Sequence, residues 1–560
     1  MTVTAAPVPG SRPRARRAAG TGRPAWSALT FLVALLVASP VLAVVVDGLV
    51  NGRDAAMPRG LGGMVVTTLL LMAGVGLGTL VVGGGLAWLV TAYRFPGRDV
   101  LVWLLVLPLA MPAYILGFVF ISTFDAAGPV QSALRGVLGD GLAFSVRTLP
   151  GAVAVMSLSL FPYVYLLARA ALVEQSPSTY DAARILGASR RRTFWRVVVP
   201  LARPSLAAGL ALVMMEVLTD FATVQYFGVR TVSVGVYLVW KGSYDFHAAT
   251  QISVLVLGFA VAVLAGERLM RGRARFTQRG GRGDGMRAHR LVGWRAWAAT
   301  LACLAALAAG FFVPVARLVG WAVAEARSEP EAFVDERFGQ YLANSLAVAA
   351  IAAAGCVLLS LVMSHAVRVG GGRLVRTAAS VTTFGYAVPG AVVGIGVLLA
   401  FAWADRALEA AGVPNGTGLL VTGSVLGILY AYLVRFLAPS YQAVDASFAK
   451  VAPSMTLSAM SLGAGPLRVL RRVHLPLVRP GVAVALVLVT VDAIKELPIV
   501  LLLRPFGFTT VSVWVYQLAA ENFWRQAALP ALVIVLAAVV PVYVLFRQIR
   551  TGDRGVARER

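Results

Sequence analysis

Long apolar stretches recur so often along this 560-residue chain that they settle its fold class before any motif is consulted. A bilayer core of about 30 Å takes roughly 20 apolar residues of helix to cross. Runs of that kind fall at about 26–46, 63–91, 100–122, 149–173, 205–226 and 249–267, and again at about 295–322, 340–366, 376–403, 418–440, 481–503 and 526–546. Helices satisfy their own backbone groups in lipid, so they are the expected spanning element. The expectation is an all-α, polytopic membrane protein with about 12 transmembrane helices in two six-helix halves. Composition agrees, with 59% hydrophobic and 13% charged residues and a mean hydropathy of +0.79; a soluble domain carries about a quarter charged residues.

The formal net charge of +25 raises the question of nucleic acid. The arginines answer it, because they cluster between apolar runs, at 12–23, 190–192, 268–295 and 547–560, rather than on one soluble face. No nucleic-acid partner is expected; membrane lipid is. The positive-inside rule puts those segments in the cytoplasm, and both termini with them. The expected organisation is a cytoplasmic tail at 1–25, a first half at 26–267 (core about 63–267), a cytoplasmic linker at 268–294, a second half at 295–546 (core about 340–546) and a cytoplasmic tail at 547–560. The first apolar run is long for a signal peptide and reads as an uncleaved span. Cys303 and Cys356 lie inside apolar runs as small hydrophobes, with no metal or disulfide spacing.

Laying the chain over itself shows a duplication. Leu186-Gly187-Ala188, Arg196-Val197, Pro200-Leu201 and Arg203-Pro204 recur 276 positions later as Leu462-Gly463-Ala464, Arg472-Val473, Pro476-Leu477 and Arg479-Pro480. Pro177-Ser178 matches Pro453-Ser454, and Thr231-Val232-Ser233-Val234 matches Thr510-Val511-Ser512-Val513. With an even number of spans per half, both loops face the cytoplasm, as in halves related by an axis along the membrane normal. Each loop can start a short helix after Pro-Ser and end it at Gly187 or Gly463. Such a helix either lies on the membrane surface or docks a cytoplasmic partner.

Asp181-Ala182-Ala183, Gly187 and Pro200 resemble the EAA loop of bacterial binding-protein-dependent ABC importer permeases, with Asp in the place of the usual Glu. The second copy keeps Gly463 and Pro476 but reads Leu457-Ser458-Ala459 at the acidic-Ala-Ala positions. Further stretches are similar to the fused permeases of ferric-iron importers, among them Leu107-Pro108-Leu109-Ala110-Met111-Pro112-Ala113-Tyr114, Gly385-Tyr386-Ala387-Val388-Pro389-Gly390 and Lys495-Glu496-Leu497-Pro498. Permeases for phosphonate, thiamine and polyamine share parts of them. The resemblance implies the type I ABC importer permease fold and a place in the bacterial cytoplasmic (inner) membrane. It also implies coupling helices that seat two copies of an ABC ATPase subunit, and a periplasmic or lipid-anchored substrate-binding protein on the other face.

Ionisable groups inside spans are costly and usually functional. Glu216 and Asp220 lie four apart in the fifth run, and Asp492 and Glu496 repeat them in the eleventh. Spacing of four places each pair on one helix face. The four carboxylates then either line a cation path, with hard oxygen donors suited to ferric iron, or are neutralised by Lys495 and nearby arginines. Pro112, Pro389 and Pro498 are expected to kink or interrupt their helices, as packing kinks or as gates. Gly83 to Gly85 read as close-packing positions. His247, His289, His365 and His474 show no metal-ligand spacing, so no metal site is assigned. No Gly-x-x-x-x-Gly-Lys-[Ser/Thr] loop occurs. The chain is therefore expected to be a permease that binds no cofactor of its own, with ATP consumed by the partner subunit. A secondary transporter driven by an ion gradient also has duplicated halves and midplane charges, but it leaves the repeated loop unexplained.

Overall fold

The computed structural model describes residues 23–51, 60–139, 144–175, 182–183, 185–243, 246–271, 288–329, 336–370, 372–413 and 423–558. Among these, eleven helices are long and apolar enough to cross a membrane. Spans 1 to 6 are Ala25–Val50, Leu61–Ala92, Ala113–Leu138, Leu149–Val173, Arg191–Thr219 and His247–Met270. Spans 7 to 9 are Trp294–Ser328, Arg337–Val369 and Gly390–Ala410, and spans 11 and 12 are Pro466–Lys495 and Trp524–Tyr543. The tenth place is taken by the 25-residue helix Val425–Ala449. Its hydropathy is diluted by Arg435 and the polar residues after Pro439, so it stands outside the apolar eleven.

The duplication holds element by element, including its irregularities. A proline cannot donate to the carbonyl four residues back, and its ring clashes there. Pro200 and Pro476 each follow a widened π-turn, Phe194–Val198 in one half and Leu470–His474 in the other, which relieves that clash. Pro112 and Pro389 break the third and ninth apolar runs. In each half a short 3₁₀ segment (Leu107–Ala110 or Thr382–Ala387) ends, the proline takes an extended conformation with ψ near 140°, and span 3 or span 9 begins.

The fifth and eleventh runs were expected to be continuous through 226 and 503, and the structure corrects this. Span 5 stops at Thr219, Asp220 is extended, and a five-residue helix Ala222–Tyr226 follows. Span 11 stops at Lys495, Glu496 is extended, and Pro498 opens the helix Pro498–Leu503. Pro498 forces the second break; in the first, the Asp220 carboxylate accepts from the Thr223 amide at 2.8 Å and competes with helix continuation. The two hydroxyls that meet the exposed amides beyond these breaks also correspond: Thr68 accepts from Val232, and Ser345 from Val511.

The halves interlock. Span 1 packs on spans 8 and 9 of the other half, while span 7 packs on span 12 and on the Arg98–Leu104 and Leu107–Ala110 segments of the first half. One hydrophobic core therefore runs through both. Apolar lipid supplies no hydrophobic drive between helices, so close contact of small residues carries the association. A Cβ on Gly396 of span 9 would collide with the Pro40 carbonyl of span 1, and one on Gly83 would sit 2.6 Å from the Phe161 carbonyl. Gly84 and Gly85 have nothing within 4 Å, so close packing applies to Gly83 alone of that triplet. Of the linker, residues 272–287 lie outside the described residues. Its end is held by a two-residue parallel pairing of His289–Arg290 with Tyr93–Arg94.

Candidate functional site

Two regions answer to the sequence expectations: the repeated loops and a cavity between the halves. Asp181 lies outside the described residues. Around it, Ala182 is exposed and Ala183 partly buried, and in the second loop Ser458 and Ala459 match them. The second loop forms the helix Pro453–Ser461. Gly187 and Gly463 take the left-handed conformation, φ +80° and +81°, that a residue with a Cβ avoids. The amide after each glycine closes the helix end, Ala188 onto the Ala183 carbonyl and Ala464 onto Ala459, at 3.0 and 3.1 Å. This is the Schellman termination. Both loops leave large apolar side chains bare: Leu186 is 86% exposed and Leu462 88%. Bare apolar residues on an otherwise polar loop suit a protein partner.

Glu216, Asp220, Asp492 and Glu496 all line one cavity of about 120 Å³ whose walls come from both halves. The expectation that each pair shares a continuous helix face is corrected: Glu216 and Asp492 sit in the last helical turns, while Asp220 and Glu496 occupy the breaks. Each of the latter caps the short helix beyond it, Asp220 through Thr223 and Glu496 through the Ile499 amide at 3.3 Å. The two pairs differ electrostatically. Asp492 pairs with Lys495 at 2.8 Å, and Glu496 with Arg435 at 3.5 Å, both partners of the second pair being more than nine-tenths buried. Among the described residues the Glu216 carboxylate has neither hydrogen bond nor ion pair, and Asp220 has no basic partner.

Arg435 was not singled out by sequence. It stands 276 positions after Ser159, and the two side chains do the same backbone work. Ser159 donates to the Met111 carbonyl at 2.9 Å and Arg435 donates to the Val388 carbonyl at 3.3 Å, each carbonyl lying just before the helix-breaking proline. Three tyrosines were missed as well. Tyr114, Tyr163 and Tyr386 line the same cavity, and among the described residues their hydroxyls have no hydrogen-bond partner. Buried tyrosine hydroxyls usually find one. None of the three is repeated in the other half, where Ala391, Pro439 and Leu109 stand at the corresponding places, so internal comparison could not find them.

The histidines carry a contact that the sequence did not show. Two of them meet: His365 Nδ1 lies 2.9 Å from His474 Nδ1, and His474 Nε2 lies 2.9 Å from the Thr456 hydroxyl of the second loop. His365 and His474 are 109 residues apart, which hid the contact. Among the described residues no three His, Cys, Asp or Glu side chains form a group that could hold a metal ion. Cys303 and Cys356 are free and buried.

Residues 79–266 match the family described as binding-protein-dependent transport system inner membrane component. The chain is 25% identical over 536 residues to the Fe(3+)-transport system permease protein FbpB 2 of Haemophilus influenzae, covering 93% of this chain and 98% of that one. It is 30% identical over 192 residues to the molybdenum transport system permease protein ModB of Escherichia coli, covering 33% of this chain and 82% of the relative. The sulfate transport system permease protein CysT of Escherichia coli is 30% identical over 189 residues, covering 32% of this chain and 65% of the relative. The first similarity runs through both halves, whereas the other two span about one half.

Proposed function

This chain belongs to the family of binding-protein-dependent transport system inner membrane components, and from that membership we propose that it carries ferric iron through the cavity between its halves. It is a permease, a transport component of an ABC importer. Its power comes from two copies of a separate ATPase docked on the loops around Asp181–Gly187 and Leu457–Gly463, and it holds no cofactor of its own. A substrate-binding protein delivers cargo on the opposite face. Both termini lie in the cytoplasm. When ATP closes the ATPases, the two loops are drawn together and the halves rock between outward-open and inward-open states around the cavity.

One observation carries the cargo assignment: four carboxylates face the cavity, and two basic groups, Arg435 and Lys495, offset only part of their charge. Two unit charges about 5 Å apart at an effective dielectric of about 20 interact by roughly 3 kcal/mol. Two uncompensated carboxylates therefore favour a cation over sulfate or a phosphonate by a wide margin. The full-length relationship to a permease named for Fe(3+) transport supports the same cargo.

The test is uptake of radiolabelled ferric iron into proteoliposomes holding the permease, its ATPase and its binding protein. Sulfate, phosphonate, thiamine and a polyamine serve as competitors. Iron uptake should require the ATPase, resist all four competitors and drop roughly tenfold, the effect of about 1.4 kcal/mol, in Glu216→Gln. Uptake that continues without the ATPase, or a competitor that proves to be the transported solute, would sink the proposal.

A further inference from the structure

Carboxylates alone do not make a ferric site here, because no three acidic, histidine or cysteine side chains converge on a metal position among the described residues. What the cavity has in surplus is phenol. Tyr114 is 6% exposed, and its hydroxyl, cut off from solvent, has no partner. Tyr163 and Tyr386 line the same walls with hydroxyls equally unpartnered among the described residues. Glu216 and Asp492 line the same cavity as Tyr163 and Tyr386. Of those carboxylates, Asp492 is held by Lys495 and Glu216 is free.

We propose that Tyr163, Tyr386 and Glu216 form a transient coordination site for the ferric ion in transit, with the Tyr114 hydroxyl as a further oxygen donor. This deepens the ferric reading above and rests on it. Ferric iron is a hard cation that prefers oxygen donors, and tyrosine is an established ligand of iron in proteins. Charge balances: two phenolates and one carboxylate carry three negative charges against the three of the ion, and each phenol that coordinates releases one proton to water. An ion held in a neutral site rests in a low-dielectric region at far lower cost than a bare trivalent ion. Tyr163 belongs to span 4 of the first half and Tyr386 to the 3₁₀ segment before span 9 of the second. Rocking the halves therefore separates the two ligands and weakens the site at the moment of release. A protonated polyamine or thiamine gains nothing from phenolate coordination, so the site discriminates among cations.

The experiment uses the complete complex with ferric nitrilotriacetate as the iron source, in lipid nanodiscs for visible absorption and in proteoliposomes for iron uptake. Coordinated phenolate gives a ligand-to-iron charge-transfer band that carboxylate alone does not. The wild-type complex should show the band, and the two phenols of the site should give up about two protons per iron bound, one of which the freed nitrilotriacetate amine takes up. Tyr163→Phe and Tyr386→Phe should each lose most of the band and lower iron uptake roughly tenfold. The removed hydroxyls support no internal hydrogen bond, so folding should survive; the wild-type spectrum is informative without any variant. Iron uptake by the wild type without a band, or undiminished uptake by the double Phe variant, overturns the tyrosine site while the ferric reading stands. A wild type that takes up no iron overturns both.

Discussion

In the first half the carbonyl freed by a helix-breaking proline, that of Met111, is met by the hydroxyl of Ser159. In the second half the equivalent carbonyl, that of Val388, is met by the guanidinium of Arg435. A hydroxyl solves the hydrogen-bond problem and adds no charge. A buried guanidinium solves it and creates another, since an uncompensated charge in that place is expensive. Glu496 supplies the counter-charge, and the backbone makes room for it. Gly390 opens span 9 where Ala113 opens span 3, and a Cβ on Gly390 would stand 2.8 Å from the Glu496 carboxylate and 3.2 Å from Arg435. One difference in a duplicated frame thus turns the acid that both halves carry into a counter-ion, with a glycine making room for the pair. It leaves the cavity with two kinds of carboxylate: neutralised ones from the second half, and unpaired ones from the first, available to cargo.

The largest consequence of that asymmetry should appear in stability. Arg435→Ala strands Glu496 and the Val388 carbonyl together, and breaking a buried pair from one side costs about 3–5 kcal/mol. Ser159→Ala, which removes the matching contact in the other half, should cost no more than about 1–3 kcal/mol. Thermal unfolding of the purified permease in detergent compares them. Equal losses would mean that Arg435 works as a plain hydrogen-bond donor and that the halves are electrostatically alike.

A second contrast lies at the loops. His474 occupies the place held in the first half by Val198, and through His365 and Thr456 it ties the second loop helix to span 8. His474→Val should remove two hydrogen bonds worth about 1 kcal/mol each. Amide exchange should then rise over Pro453–Ser461 and stay unchanged around Gly187, with partial loss of ATP-driven uptake. Unchanged exchange in the second loop would show that the histidine contact contributes nothing to holding it. The smallest expected effect is that of Gly390→Ala, an overpacking change of about 1 kcal/mol against the Arg435–Glu496 pair. It should shrink when Arg435 is also replaced by Ser, which lets the Glu496 carboxylate move away; an undiminished effect in the double variant would assign the glycine to its contact with Pro498.

Much of the architecture was legible along the chain. Twelve apolar runs, the breaks at Pro112, Pro389 and Pro498 and the glycine ending of each loop are all local properties, set by hydropathy over about 20 residues or by the steric limits of one residue. The repeat located Glu216, Asp220, Asp492 and Glu496 because duplication copied the acidic positions. It could not locate Tyr114, Tyr163, Tyr386 or Arg435, because each stands in one half only, inside an apolar run, with no periodic signal.

The chain by itself determined that this protein spans a membrane as two related helical halves, since transfer of apolar helix into lipid depends on composition and length rather than on partners. Which carboxylates are neutralised, which phenols are left free and which histidines meet was decided by the tertiary structure. Those interactions act over a few ångströms between residues far apart in the chain, such as His365 and His474, 2.9 Å apart across 109 positions, and only the packing of the interlocked spans sets such distances.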